Sequence, residues 1–221
     1  MKAQLLSRIV RHRAGFTLIE SVIGATLMSG VLLMIGLALD TTFSAYRMAE
    51  SESQADQAAH RALEDILRNI SDAGAGTLGD PTGAFGSSDL SFRRAALYDA
   101  AGEAIGWGSE SQIGWQLEPG ELNDGIDNDG DGLIDEGEIF WLLDVGEPTQ
   151  RRVVKVKSVA EYLGGEEPNL ADDNDNGLID EAGLDFQWDG AVLTVRLTLL
   201  AVGPKGMQLT RTVQSSTRLR N

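Results

Sequence analysis

Residues 16–39 read FTLIESVIGATLMSGVLLMIGLAL, 24 residues whose single charge is Glu20. As a helix this run spans about 36 Å, more than the roughly 30 Å hydrocarbon core of a bilayer. Lys2, Arg8, Arg11 and Arg13 precede it with no acid among residues 1–15, and Asp40 follows it. The positive-inside rule then leaves the N-terminus in the cytoplasm and the bulk of the chain outside. The formal charge is -16, so with +4 in the first 15 residues the remainder carries -20. That excess of acid excludes nucleic acid as a partner, since phosphate binding needs clustered Lys and Arg. With no cysteine, disulfides, thiol catalysis and cysteine-based zinc sites are excluded as well. His12 and His60 are the two histidines, too few for a His-rich metal site.

A secretory signal shares the basic start, but its apolar run is usually shorter and ends at small residues of A-x-A type. No such pattern follows Leu39. Residues 15–20 read G-F-T-L-I-E after a short basic leader. This junction closely resembles the type IV prepilin signature. The resemblance covers about the first 40 residues and implies that a prepilin peptidase cuts after Gly15 and N-methylates Phe16. It also implies that the helix stays attached and that Glu20 guides stacking of pilin or pseudopilin subunits, paired with a neighbour's N-terminal amine. A carboxylate inside a lipid-facing helix is costly and usually marks a partner or a function. The plainer alternative is that Glu20 snorkels to the headgroups. Gly24, Gly30 and Gly36 either weaken the helix or permit close helix approach.

Beyond Asp40 the pattern turns amphipathic. Met48, Ala55, Ala59, Ala62, Leu63, Ile66 and Ile70 recur at helical spacing, and Gly74, Gly76, Gly79 and Pro81 end the run. The spacing predicts one helix over about 16–72, with His60 as a packing or surface residue. After Pro81 the period falls to two, as in half-buried strands. Ile113, Trp115 and Leu117 alternate with polar or small residues. So do Leu184, Phe186 and Trp188, and Leu193, Val195, Leu197 and Leu199. Further strands are expected at 139–145, 152–156 and 207–218, with the four tryptophans in the core. The expected fold class is α+β, a long N-terminal helix packed on a C-terminal antiparallel sheet. This order is similar to the pilin fold, and the layout and short basic tail look most like W-type minor pilins or J-type pseudopilins of type II secretion. The expected divisions are a cleaved leader at 1–15, a membrane and filament-core helix at 16–39, its amphipathic continuation at 40–73 and a globular domain at 74–221.

Two acidic stretches remain. Residues 127–138, DNDGDGLIDEGE, match the D-x-[DN]-x-[DN]-G-x5-E pattern of an EF-hand calcium loop. On that template Asp127, Asp129 and Asp131 are ligands 1, 3 and 5, and Leu133 offers its carbonyl at 7. Asp135 stands at 9 and Glu138 closes the loop at 12. Ile134 is expected to anchor the loop in the core. The second loop, 172–183, places Asp172, Asn174, Asn176, Leu178 and Asp180 at the same positions, but Gly183 stands at 12. Glu181, Asp185, Glu166 and Glu167 are the candidates to replace the missing ligand. Asp, Asn and Gly also favour plain solvated turns. Against that, segments 123–138 and 166–181 hold seven acids each, and both contain G-L-I-D. Packing so many acids without cations is repulsive. Oxygen-only ligands select calcium over zinc or copper, so two calcium ions are expected.

Together these features lead to an expectation of a structural filament subunit, not an enzyme. It would be made as a single-pass protein of the bacterial inner membrane with its domain in the periplasm, then enter a pilus or pseudopilus. The rival reading is a secreted or membrane-tethered calcium-binding module with no filament role. A carbohydrate-active enzyme using acids of the two loops is a third, for which no substrate cleft is specified.

Overall fold

The computed structural model describes residues 15–79, 86–100 and 104–219. The leader's basic residues and Pro81 lie outside them. The chain divides into two compact units, Met1–Tyr46 and Arg47–Asn221.

Helix α1 runs from Leu18 to Ile70, 53 residues without a break, and so contributes to both units. In the first unit its large apolar side chains are exposed, among them Phe16, Leu18, Ile19, Leu27, Leu33 and Leu37. This part is long and apolar enough to cross a membrane. In the second unit the buried residues of α1 are Ala55, Ala59, Ala62, Leu63, Ile66 and Ile70, a 3.6-residue stripe. Three of the six are alanines, whose small side chains let the helix lie close to the sheet. The chain leaves the helix at Ser71 and Asp72, and a Cβ on Gly74 would stand 2.3 Å from the ring of Trp107. A side chain at that position would require the Trp107 ring to move.

The described residues form seven strands: β1 (Asp89–Asp99), β2 (Ala104–Leu117), β3 (Gly137–Leu143), β4 (Arg151–Val159), β5 (Leu184–Trp188), β6 (Val192–Val202) and β7 (Gln208–Arg218). All pairings are antiparallel, in the order β1-β2-β3-β4-β6-β5, with β7 also on β6. The sheet is two meanders, β1–β4 and β5–β7. They join at one residue pair in the β4–β6 ladder, Val159 with Leu199. An isolated bridge between Ser87 and Phe186 adds a second link. One core results, in which the helix stripe meets Leu90, Phe92, Ile113, Ile139, Trp141, Leu184, Phe186, Val195 and Leu197.

The α+β expectation holds, with a long apolar N-terminal helix and an antiparallel sheet, an arrangement compatible with a pilin-like fold. The expected strands are present. Strand β1 and the first half of β2 were not expected, because only Leu90 and Phe92 of β1 are buried and its remaining length shows no apolar alternation. Trp141 is fully in the core, while Trp115 and Trp188 pack on its margin. Two ion pairs brace the helix from outside, Lys155–Asp65 at 3.2 Å and Arg211–Glu52 at 3.1 Å.

Candidate metal centres

The first acidic loop joins β2 to β3 and the second joins β4 to β5, so both leave the same end of the sheet. They are neighbours there. Leu133 of the first packs with Ala160 and Leu200, and Ile134 and Asp135 share a shallow pocket with residues 161–166 leading into the second. The anchor is thus Leu133, buried at 3 % exposure, and not Ile134, which is exposed. Gly132, at φ 95°, returns the loop against Val202, so the residue after it faces inward.

Each loop curls because its Asp and Asn side chains accept hydrogen bonds from its own backbone. Asp127 accepts from the N–H groups of Gly130 (2.6 Å) and Gly132 (2.9 Å), Asp129 from Asp131 (3.0 Å), and Asp131 from Leu133 (2.9 Å). In the second loop Asp172 accepts from Asn176 (3.0 Å) and Gly177 (2.8 Å), Asn174 from Asn176 (3.1 Å), and Asn176 from Leu178 (2.9 Å). Asp135 is engaged elsewhere, by the N–H groups of Asp124 (3.1 Å) and Gly125 (2.8 Å). Asp180 matches it, taking Asn169 (3.1 Å) and Leu170 (2.9 Å).

Carboxylate oxygens of Asp127, Asp129 and Asp131 lie within 4.8 Å of one another, and so do those of Asp129, Glu121 and Glu136. Asp129 belongs to both groups and links them. Glu136 has 0 % exposure, and neither of its carboxylate oxygens has a hydrogen-bond partner among the described residues. Glu121, at 6 %, accepts from Asn128 and Asp129 N–H on one oxygen and leaves the other unpartnered. Burial pushes the Glu136 carboxyl up to about 7, with the charges of Asp131, Glu121 and Asp129 adding to the rise. Its own backbone N–H offsets part of that without meeting hydrogen-bond geometry.

Glu138 is not in this group. Strand β3 begins at Gly137, one residue before position 12, so Glu138 is a strand residue opposite Gln116. Its carboxylate accepts from Arg152 (2.8 Å) and Gln116 (3.0 Å). In the second loop Asp185 is likewise on a strand, paired with Arg196 at 2.8 Å, and Glu167 is exposed. Glu181, at 0 % exposure, meets Asn174 and Asn176 side-chain amides on one oxygen and leaves the other unpartnered. Glu166 accepts from the N–H groups of Asn174 and Asp180, both 3.1 Å. Burial first, then Glu181, raises its carboxyl above the usual range.

The EF-hand template misses Glu121 and Glu136 and admits Glu166 and Glu181 only as candidates to replace the missing position-12 ligand. A second alignment finds them. Residues 121–136 and 166–181 superpose without a gap as E-x5-D-x-[DN]-x-[DN]-G-L-I-D-E, 45 residues apart.

At the other end of the chain, Gly15 and Phe16 precede α1, and Thr17 is its N-cap. The N–H and Oγ1 of Thr17 donate to Glu20 at 3.0 and 2.9 Å, while Glu20 N–H donates to Thr17 Oγ1 at 3.2 Å. This is a reciprocal capping box, legible as T-x-x-E at residues 17–20. Glu20 thus has a local structural role in addition to any role between chains.

Among known proteins, no family model, no curated protein and no solved structure matches the chain.

Proposed function

We propose that this chain is a structural subunit of a type IV pilus or of a type II secretion pseudopilus, a minor-pilin-like or pseudopilin-like protein whose domain is stabilised by calcium. The observation that carries the reading is the G-F-T-L-I-E junction at residues 15–20, set directly on an apolar helix that continues unbroken into the fold of a separate domain. A removable signal has no need of such continuity. A filament subunit does, because the helix must remain part of the mature protein. Prepilin peptidase would act between Gly15 and Phe16 at the cytoplasmic face of the inner membrane, leaving the acidic domain in the periplasm. Neighbouring subunits would then pack through the exposed apolar residues of α1, with Glu20 near a neighbour's terminal amine. The two acidic loops would each hold a calcium ion, a cross-link for a domain without cysteine.

Mass spectrometry of the mature chain tests the reading. Purified from membranes of a host with prepilin peptidase, it should begin at N-methylated Phe16 and retain the whole of α1. A terminus near Asp40 would overturn the filament reading and leave the rival, a secreted calcium-binding module, which the acidic loops fit equally well.

A further inference from the structure

The two loops are more alike in space than a shared turn requires. Outside the side-chain bonds given above, Glu118 N–H donates to the Glu136 carbonyl at 3.1 Å, and Leu163 N–H to the Glu181 carbonyl at 2.9 Å. Glu121 N–H reaches the Glu118 carbonyl, as Glu166 N–H reaches that of Leu163. Positive φ recurs at Gly120 and Gly165, Gly125 and Leu170, Gly130 and Asp175, Gly132 and Gly177, and Asp135 and Asp180. Each pair is 45 residues apart. Leu170, Asp175 and the aspartates hold a conformation that glycine holds more easily, so both copies are forced into one shape.

That shape buries one glutamate per loop at the tenth position, Glu136 and Glu181, both with 0 % exposure and with unpartnered carboxylate oxygens. A buried carboxylate without a donor costs several kcal/mol unless something positive meets it. Among the described residues no Lys or Arg does so at either glutamate, although the nearby buried Glu118 is met by Lys157 at 2.6 Å and Ser158 N–H at 2.7 Å. The chain thus meets the buried Glu118 and Glu138 with cations and leaves both oxygens of Glu136 and one of Glu181 unpartnered.

Building on the calcium reading above, we propose that residues 121–136 and 166–181 are two copies of one calcium site, each closed at the tenth position, by Glu136 and by Glu181, with Glu121 and Glu166 entering from upstream. Neither site uses position 12. In the first copy that residue, Glu138, is neutralised by Arg152 on the sheet. In the second it is Gly183, whose Cβ would stand 1.9 Å from the Ala160 carbonyl oxygen. The absent position-12 glutamate is therefore no defect of the second loop. The copies differ in charge instead. Asp127, Asp129, Asp131, Glu121 and Glu136 give the first five carboxylates, whereas Asp172, Glu166 and Glu181 give the second three, with Asn174 and Asn176 as neutral oxygen donors. The first should bind more tightly, and both should prefer calcium to magnesium, which demands smaller octahedral geometry.

The test is calorimetric titration of calcium into the full chain in detergent micelles, stripped by chelator, with magnesium as the control ion. The unchanged protein should bind two calcium ions. Glu136→Gln should remove one site or weaken it by at least about 100-fold, the upper loss seen for outer-shell partners of a metal. Glu181→Gln should remove the other, and Glu138→Gln should leave both intact. Unaltered circular dichroism of each variant confirms folding. Two-site binding that survives Glu136→Gln and Glu181→Gln, or that is lost in Glu138→Gln, overturns the assignment but keeps the calcium reading. Absence of binding to the unchanged chain overturns both.

Discussion

Glu136→Gln should stabilise the protein in the absence of calcium. The substitution keeps the shape of the side chain and deletes a buried charge that lacks a donor. The folded carboxyl titrates near 7 against an ordinary value of 4.5. A folded value raised above the unfolded one means that the associated stability is fully present below 4.5 and is lost as pH rises through about 7. At about 1.4 kcal/mol per pH unit, the loss above pH 8 amounts to roughly 3 kcal/mol. The glutamine variant escapes it. Without calcium at pH 8.5 its melting temperature should exceed that of the unchanged protein by about 6–12 °C, given a domain of this size. At pH 5, where Glu136 is protonated, the gap should shrink to under about 1 kcal/mol. With calcium a hundredfold above the first site's dissociation constant the gap should close to under about 1 kcal/mol, because the unchanged protein gains about 2.7 kcal/mol at the one site the variant loses. Thermal unfolding of the full chain in detergent, with chelator or calcium at both pH values, reads all of these. A glutamine variant less stable than the unchanged protein with chelator at pH 8.5, or a gap independent of pH, refutes the argument from burial.

Substitutions at three other positions probe separate parts of the chain. Glu20→Gln preserves the capping box with Thr17 but removes the charge, whereas Glu20→Ala removes both. If the charge guides assembly, both variants should be depleted from sheared filaments, and a defect in Ala alone would assign the cap as the whole role. Gly183→Ala drives a methyl into the Ala160 backbone, and chemical denaturation should show a loss of about 1–3 kcal/mol or more. Arg196→Met leaves Asp185 buried without its 2.8 Å partner, and the same assay should show a loss of about 3–5 kcal/mol at neutral pH. That loss should narrow on acidification, since burial already raises the Asp185 carboxyl above its usual range.

Where residues repeat on the period of their element, the fold is legible in the sequence. The stripe from Ala59 to Ile70 and the apolar alternation in β5 and β6 feed the same core, so periodicity alone locates them. Strand β1 has no such signal, because residues beyond Phe92 are held by pairing with β2 and not by burial. The acidic loops divide in the same way. Positions 1, 3 and 5 are legible because the Asx turns that shape the loop are local. The closing glutamate is not, because it depends on where β3 begins. A helix after the loop would carry position 12 back towards the centre, as the EF-hand template assumes. A strand starting at Gly137 carries Glu138 into the sheet and leaves Glu136 as the last loop residue.

The location of the loops gives their chemistry a mechanical meaning. The two meanders meet in the sheet at Val159 and Leu199, a narrow seam in an otherwise continuous ladder. The second loop leaves β4 at Ala160, whose N–H bonds the Thr198 carbonyl of β6 at 3.0 Å. The first loop reaches the same place through Leu133, packed on Ala160 and Leu200. Residues Ser51, Gln54, Ala55 and Ala58 of α1 pass beside it, lining a pocket with Lys157, Ser158 and residues 199–202. Under the proposed assignment, a cation in each loop would hold Glu136 and Glu181 against the Asx turns and fix both sides of this seam. Without cations, repulsion within the two linked acid groups acts in a loop packed on this seam, where the sheet has least pairing to resist it. Calcium dependence should therefore appear first as local opening between β4 and β6, ahead of any loss of the β6–β7 ladder, which spans eleven residue pairs. Amide exchange should show that order, with Ala160 and Thr198 losing protection on chelation while Val195 and Leu197 retain theirs.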